Sequence, residues 1–169
     1  ELTDTLLKKE FDQCRKDQKP HRKFIEKGLD HIVPYDAGLT IIKNSKGEEK
    51  KLPLIDVWRD AKHHGLKRRF KDTNIILRGG IDDVWFNKKT KELIVVDYKS
   101  QASSKEVSQD TYFPKGGFHD SYKTQLNFYA YLIKGLNLKY KISDDSYLYV
   151  VNGLEVEKGF NGKIIFSET

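Results

Sequence analysis

One cysteine, four prolines and no methionine mark this sequence of 169 residues. The lone Cys14 excludes an internal disulfide. It also excludes an all-cysteine zinc site and an iron–sulfur cluster held within the chain. No apolar run approaches the roughly 20 residues that a bilayer-spanning helix needs; stretches such as residues 93–96 are strand-sized. Repeats and low-complexity segments are absent. Nothing at the start resembles a signal peptide, so a cytoplasmic setting with no membrane contact is expected. Methionine is missing even at position 1, which suggests an excised fragment or a processed start, with an N-terminal element lacking.

What is present is charge. Charged residues make up 33% of the chain and apolar ones 37%, a polar globular balance. The length suits one domain, 1–169, able to bury a core without staples. Lys and Arg number 31 against 25 acids, giving +6. That excess permits a polyanionic partner without selecting one.

Leu2, Leu6, Leu7, Phe11 and Cys14 follow helical spacing, and the pattern predicts an amphipathic helix over 2–16, closed by Lys19-Pro20. A shorter helix is expected over 21–29, stopping at Gly28. Residues 38–42 and 50–54 flank an Asn44–Gly47 turn cluster and read as a hairpin. One or two helical turns are expected over 55–64. Residues 66–71 form the densest basic patch. Residues 74–86 and 92–99 then read as a central antiparallel hairpin, kinked at Gly79-Gly80. A long loop over 100–117 leads to a helix carrying Tyr122, Leu126, Tyr129, Ala130 and Ile133, with Gly135 as its stop. Strands are expected over 146–151 and 162–166. The order predicts an α/β (α+β) core, a central mixed β-sheet flanked by helices.

The chemistry concentrates on the central hairpin. Asp97 and Lys99 stand two apart on one strand, so they share a face. They follow an apolar run, and burying charge is costly unless it is paired or holds a metal. Asp82 follows the glycine kink and converges on the same strand end if the register permits. Two carboxylates form an oxygen site suited to magnesium or manganese. Such an ion activates water and neutralises phosphate charge. A neighbouring lysine orients or deprotonates the water and steadies the transition state.

Three segments carry a resemblance: Gly80-Ile81-Asp82, then Asp97-Tyr98-Lys99, then Gln125 with Tyr129 four residues on. In this order they resemble the motifs of the RecB-like branch of the PD-(D/E)XK nuclease superfamily, most clearly over residues 74–135. The resemblance implies a restriction-endonuclease-like core and a single nuclease domain over 1–169. It assigns the metal, Mg2+ or Mn2+, to Asp82, Asp97 and the Tyr98 main-chain carbonyl, and catalysis to Lys99. It places Gln125 and Tyr129 in the groove, against the nucleic-acid backbone or the catalytic groups. An early helix of the family adds a ligand, often His or Glu. This chain has Asp4 there, with Glu10 as the alternative. Cluster-bearing relatives need cysteines that this chain lacks, so no iron–sulfur cluster is expected.

Simpler readings exist for each feature. A lone Asp-x-Lys is commonly a surface ion pair; the ordered motifs reverse that. Asp83 is read as pointing away from Asp82, Tyr131 as a core aromatic, and Cys14 as a buried small hydrophobe. Adjacent His63 and His64 point apart and are read as solvated. Lys67-Arg68-Arg69 is a solvated face or, beside a nuclease site, a phosphate contact. Residues 115–118 form a substrate-contacting loop or a linker. The expected activity is hydrolysis of single- or double-stranded DNA; RNA is a further candidate substrate, because a metal site does not read sugars. The rivals are a binding module that does not cut, and one subunit of a larger nuclease with other protein partners.

Overall fold

The computed structural model describes residues 2–102, 104, 107, 108, 112, 120–153 and 162–168. In chain order the elements are α1 (Leu2–Asp17), α2 (Arg22–Glu26), β1 (Ile32–Pro34), β2 (Leu39–Lys43), β3 (Glu49–Pro53), α3 (Leu54–Arg59), β4 (Leu66–Arg69), β5 (Ile76–Gly79), β6 (Asp83–Asn87), β7 (Glu92–Gln101), α4 (Asp120–Lys134), β8 (Lys141–Ile142), β9 (Asp145–Asn152) and β10 (Gly162–Glu168). Most of the loop expected over 100–117, and all of 115–118, lies outside the described residues.

The main sheet runs β1-β6-β7-β9-β10, with β8 also paired to β7. β6 and β7 are antiparallel, whereas β7 and β9 are parallel, so the sheet is mixed. Residues 93–98 of β7 are all buried, because both faces of this strand are covered. The two-residue period divides them. Ile94, Val96 and Tyr98 pack with Leu7 and Phe11 of α1 and with Phe24 of α2. Leu93 and Val95 face the other way, into a core shared with Trp58 of α3 and Leu126, Ala130 and Ile133 of α4. A restriction-endonuclease-like core, a mixed sheet with helices on both faces, is what these alternations build.

The central hairpin differs from expectation. The sequence predicts one kinked strand over 74–86, but the chain changes sheets at the glycines. β5 pairs with β4 in a separate two-stranded ribbon, and only β6 joins β7. Gly80 is wedged at the change: a Cβ there would lie 2.7 Å from the Arg59 carbonyl oxygen and 2.8 Å from the Ala61 Cβ. Relieving such contacts moves backbone. Gly80→Ala is therefore expected to cost about 1–3 kcal/mol, read as a lower urea midpoint at unchanged slope.

Other differences are smaller. The 66–69 part of the basic patch is strand β4. α2 is shorter than predicted: the Lys27 N–H bonds back to Phe24 and Ile25, and Gly28 follows at φ +68°. β1 and β8, of three and two residues, are too short to leave a periodic signal. Cys14 is half-buried rather than buried. Tyr131 is half-buried too, its ring covered by the Arg68 guanidinium at 4.0 Å.

Candidate active site

β7 delivers the first two residues. Leu93, Val95, Asp97 and Lys99 share one face, so the apolar stripe that anchors the strand runs directly into a carboxylate and an ammonium. Asp97 is 2% exposed and pairs with Lys99. Asp82 lies in the bend between the ribbon and β6. Its carboxylate accepts the Tyr98 N–H at 2.9 Å, and its carbonyl accepts the Arg59 Nε–H at 2.7 Å. The predicted convergence is thus present. Burial, and then the Asp82 carboxylate beside it, push Asp97 up to about 7 against the pull of Lys99. The two carboxylates crowd together where β6 begins to pair with β7, while β7 itself runs on to Gln101 beside β9.

α4 closes the other side. Lys99 Nζ donates to Gln125 Oε1 at 3.0 Å, and Gln125 Nε2 donates to the Tyr129 hydroxyl at 2.7 Å. These two helix residues lie one turn apart and form one relay on the same face. The Lys99 ammonium also sits over the Tyr122 ring, 4.5 Å from its centroid. Burial raises the Tyr129 hydroxyl above its usual range; the Gln125 bond opposes this, while Asp97 and Asp82 add to it. Gln125 thus links Lys99 of β7 to Tyr129 of α4.

α1 brings a residue that the motifs do not include. Lys8 Nζ lies 3.0 Å from Asp82 Oδ1 and 2.9 Å from Asp4 Oδ2. Burial works against this ammonium, yet Asp82 and Asp4 hold it above its ordinary range. Asp4 thus meets Asp82 through an amine. The i,i+4 spacing of Asp4 and Lys8 is the signal that links them in the sequence. Glu10 lies two residues beyond Lys8, on another side of the helix. It is engaged with His21 at 2.9 Å and Arg22 at 3.5 Å.

Asp83 points to the opposite face, as its place after Asp82 requires. It is fully buried and accepts from Arg15 at 2.5 Å, the Tyr98 hydroxyl at 2.5 Å and the Val84 N–H at 2.7 Å. Arg59 stands 3.5 Å away and reaches Asp12 at 2.8 Å. One buried carboxylate ties α1 and α3 to β6 and β7. The Arg59 that serves it also grips the Asp82 carbonyl. These partners are 68 and 24 positions from Asp83, too far apart for any local pattern to connect them.

The donor set suits a hard, hydrated cation. Among the described residues no three His, Cys, Asp or Glu side chains converge as a metal cage. Magnesium usually binds through one or two carboxylates and keeps several waters. Asp82 and Asp97 are the two carboxylates that could serve such an ion, each at present facing a lysine, Lys8 and Lys99. His63 instead faces Asp60 at 3.0 Å, its ring 6.5 Å from that of His64. A cleft of about 280 Å³ between α1 and the β2–β3 hairpin contains neither Asp82 nor Asp97. No described helix is long and apolar enough to cross a membrane.

The model of the PD-(D/E)XK nuclease superfamily matches residues 2–159. No curated protein and no solved structure matches.

Proposed function

The chain belongs to the PD-(D/E)XK nuclease superfamily, and on that premise we propose that it is a divalent-metal-dependent deoxyribonuclease of the RecB-like branch. It would work in the cytoplasm in DNA repair, recombination or the processing of phage or other foreign DNA. The observation that supports this best is the meeting of Asp97 and Lys99 of β7 with Asp82 just before β6, with Lys99 held by Gln125.

Asp82, Asp97 and the Tyr98 carbonyl would hold Mg2+ or Mn2+, with Asp4 as a further candidate ligand. An ion bound there neutralises charge on the phosphate and makes water a better nucleophile at neutral pH. The chain's own residues orient the reaction. Lys99, fixed between Asp97 and Gln125, presents its ammonium to the attacked phosphate, where negative charge builds. In its neutral form the same amine is a base for the attacking water. Gln125 gives Lys99 a second anchor beside Asp97, and Tyr129 orients Gln125. Tyr122 limits where the amine swings.

The test is cleavage of linear, circular, single- and double-stranded DNA by the purified chain, side by side with Lys99→Gln. The wild type is expected to cut in Mg2+ or Mn2+. The variant is expected to lose about 10²–10⁴-fold in kcat while still binding metal. Equal rates would remove Lys99 from the mechanism. A second reading, a module that holds nucleic acid without cutting it, is favoured by Lys8, whose ammonium already neutralises Asp82 and Asp4. Metal-independent DNA binding with no cleavage in Mn2+ would select it.

A further inference from the structure

We infer that the β4–β5 ribbon is a docking surface for the nucleic-acid strand that flanks the bond to be cut; this rests on the nuclease reading above. Residues 66–79 contain five cationic side chains and one acid, Asp72. Cross-strand partners in an antiparallel pair lie on the same face. Lys67 opposes Arg78, and Arg69 opposes Ile76. All four are exposed. Lys67 and Arg69 have no carboxylate partner among the described residues, and Arg78 reaches only the carbonyls of Ala61 and His64.

The other face is spoken for. Leu66 is 1% exposed, and a Cβ on Gly79 would lie 3.2–3.5 Å from Leu132, Phe128 and Tyr129 of α4. Arg68 donates to the Tyr131 carbonyl at 2.5 Å while covering its ring. The ribbon is thus seated on the helix that carries Gln125 and Tyr129, and it turns a cationic face outward. Its second strand runs directly into Gly80-Ile81-Asp82. Asp82 is six positions after Ile76, at most about 20 Å of chain.

Charge and position select the occupant. A strand that enters a site built on two carboxylates needs cations elsewhere for its phosphates, and this face supplies them on the ribbon that leads into Asp82. The far end of the ribbon is apolar, with Phe70, Ile75 and Ile76 exposed by 37%, 56% and 50%. Apolar side chains beside cations suit bases beside phosphates.

The test uses the full chain with labelled duplex DNA and the matching single strand, in cleavage and in anisotropy titrations across salt. Lys67→Glu/Arg69→Glu is expected to raise KM at least tenfold near 0.1 M salt, with the loss falling on KM rather than kcat. The log–log salt slope of binding should shrink by about two for duplex, since each phosphate contact contributes about 0.9. The milder Lys67→Ala/Arg69→Ala pair should lose part of this. Lys50→Glu/Lys51→Glu, the same charge change on the other hairpin, should leave KM within about threefold. Equal losses in the two Glu pairs would mean bulk charge alone and would overturn the proposal. So would an unchanged KM and slope, or an oligomer that the ribbon variants dissolve, which would give the face to a second copy. A wild type that cuts DNA beside an unaffected variant overturns the ribbon alone; a wild type that neither binds nor cuts overturns the nuclease reading with it.

Discussion

Asp97→Ala is expected to abolish cleavage, lowering the single-turnover rate by at least about 10³-fold, the scale of losing a preorganised charge in the reacting site. The fold should survive, and the isosteric Asp97→Asn separates the two effects. Asp97 is a buried acid raised to about 7 by burial and by Asp82. In the unfolded chain it ionises near 4. Raising pH between these values therefore ionises the unfolded state first, and metal-free stability falls across that window. Above it the folded protein carries a cost on the order of 1–3 kcal/mol, the net of burial and Asp82 against Lys99. Asp97→Asn removes the titration. Its metal-free melting temperature at pH 8 should equal or exceed that of the wild type, and its pH 4–7 slope should be flatter. A variant that loses activity because it unfolds would show the reverse, a lower melting temperature at pH 8.

Asp83→Ala, one residue from a proposed ligand, should act through stability. Asp83 is fully buried against Arg15, Arg59 and the Tyr98 hydroxyl. Removing one partner of a buried pair leaves uncompensated charge and costs about 3–5 kcal/mol. Here two guanidiniums are left, so the upper part of that range is expected in urea unfolding. Any activity that remains in folded Asp83→Ala should still depend on metal. Asp83→Asn keeps the shape and the acceptor oxygen, and should lose less. Equal stability for Asp83→Ala and the wild type would show that the network is not what joins α1 and α3 to the sheet.

The neighbouring carboxylates Asp82 and Asp83 thus differ in role because a strand alternates. Asp82 turns toward Asp97 and Lys8, while Asp83 turns into the arginines. That division was legible in the sequence, as was the shared face of Asp97 and Lys99. Both follow from a period of two on a strand whose burial is announced by residues 93–96. The shared face of Gln125 and Tyr129 was legible for the matching reason on a helix; their bond to each other and to Lys99 was not. Lys8 was not, because α1 reaches β7 through tertiary packing, on Leu7 and Phe11. Nor was the change of sheet at Gly80. Paired glycines announce a bend, but where the chain goes next is decided by the Arg59 carbonyl and Ala61, some twenty residues earlier.

The basic balance of the composition also takes a more definite form. Net charge permitted a polyanion without locating it. The fold gathers cations on one face of the β4–β5 ribbon and brings the carboxylate of Asp82, just before β6, beside that of Asp97 in β7. The measurement that bears most directly on this account is the rate of phosphodiester cleavage by the wild-type chain against divalent-ion concentration, from chelator-stripped protein to millimolar Mg2+ or Mn2+. Cleavage that is absent in chelator, rises to saturation with the ion and vanishes in Asp97→Ala is the predicted result. Cleavage that persists in chelator, or none with either ion, would contradict it.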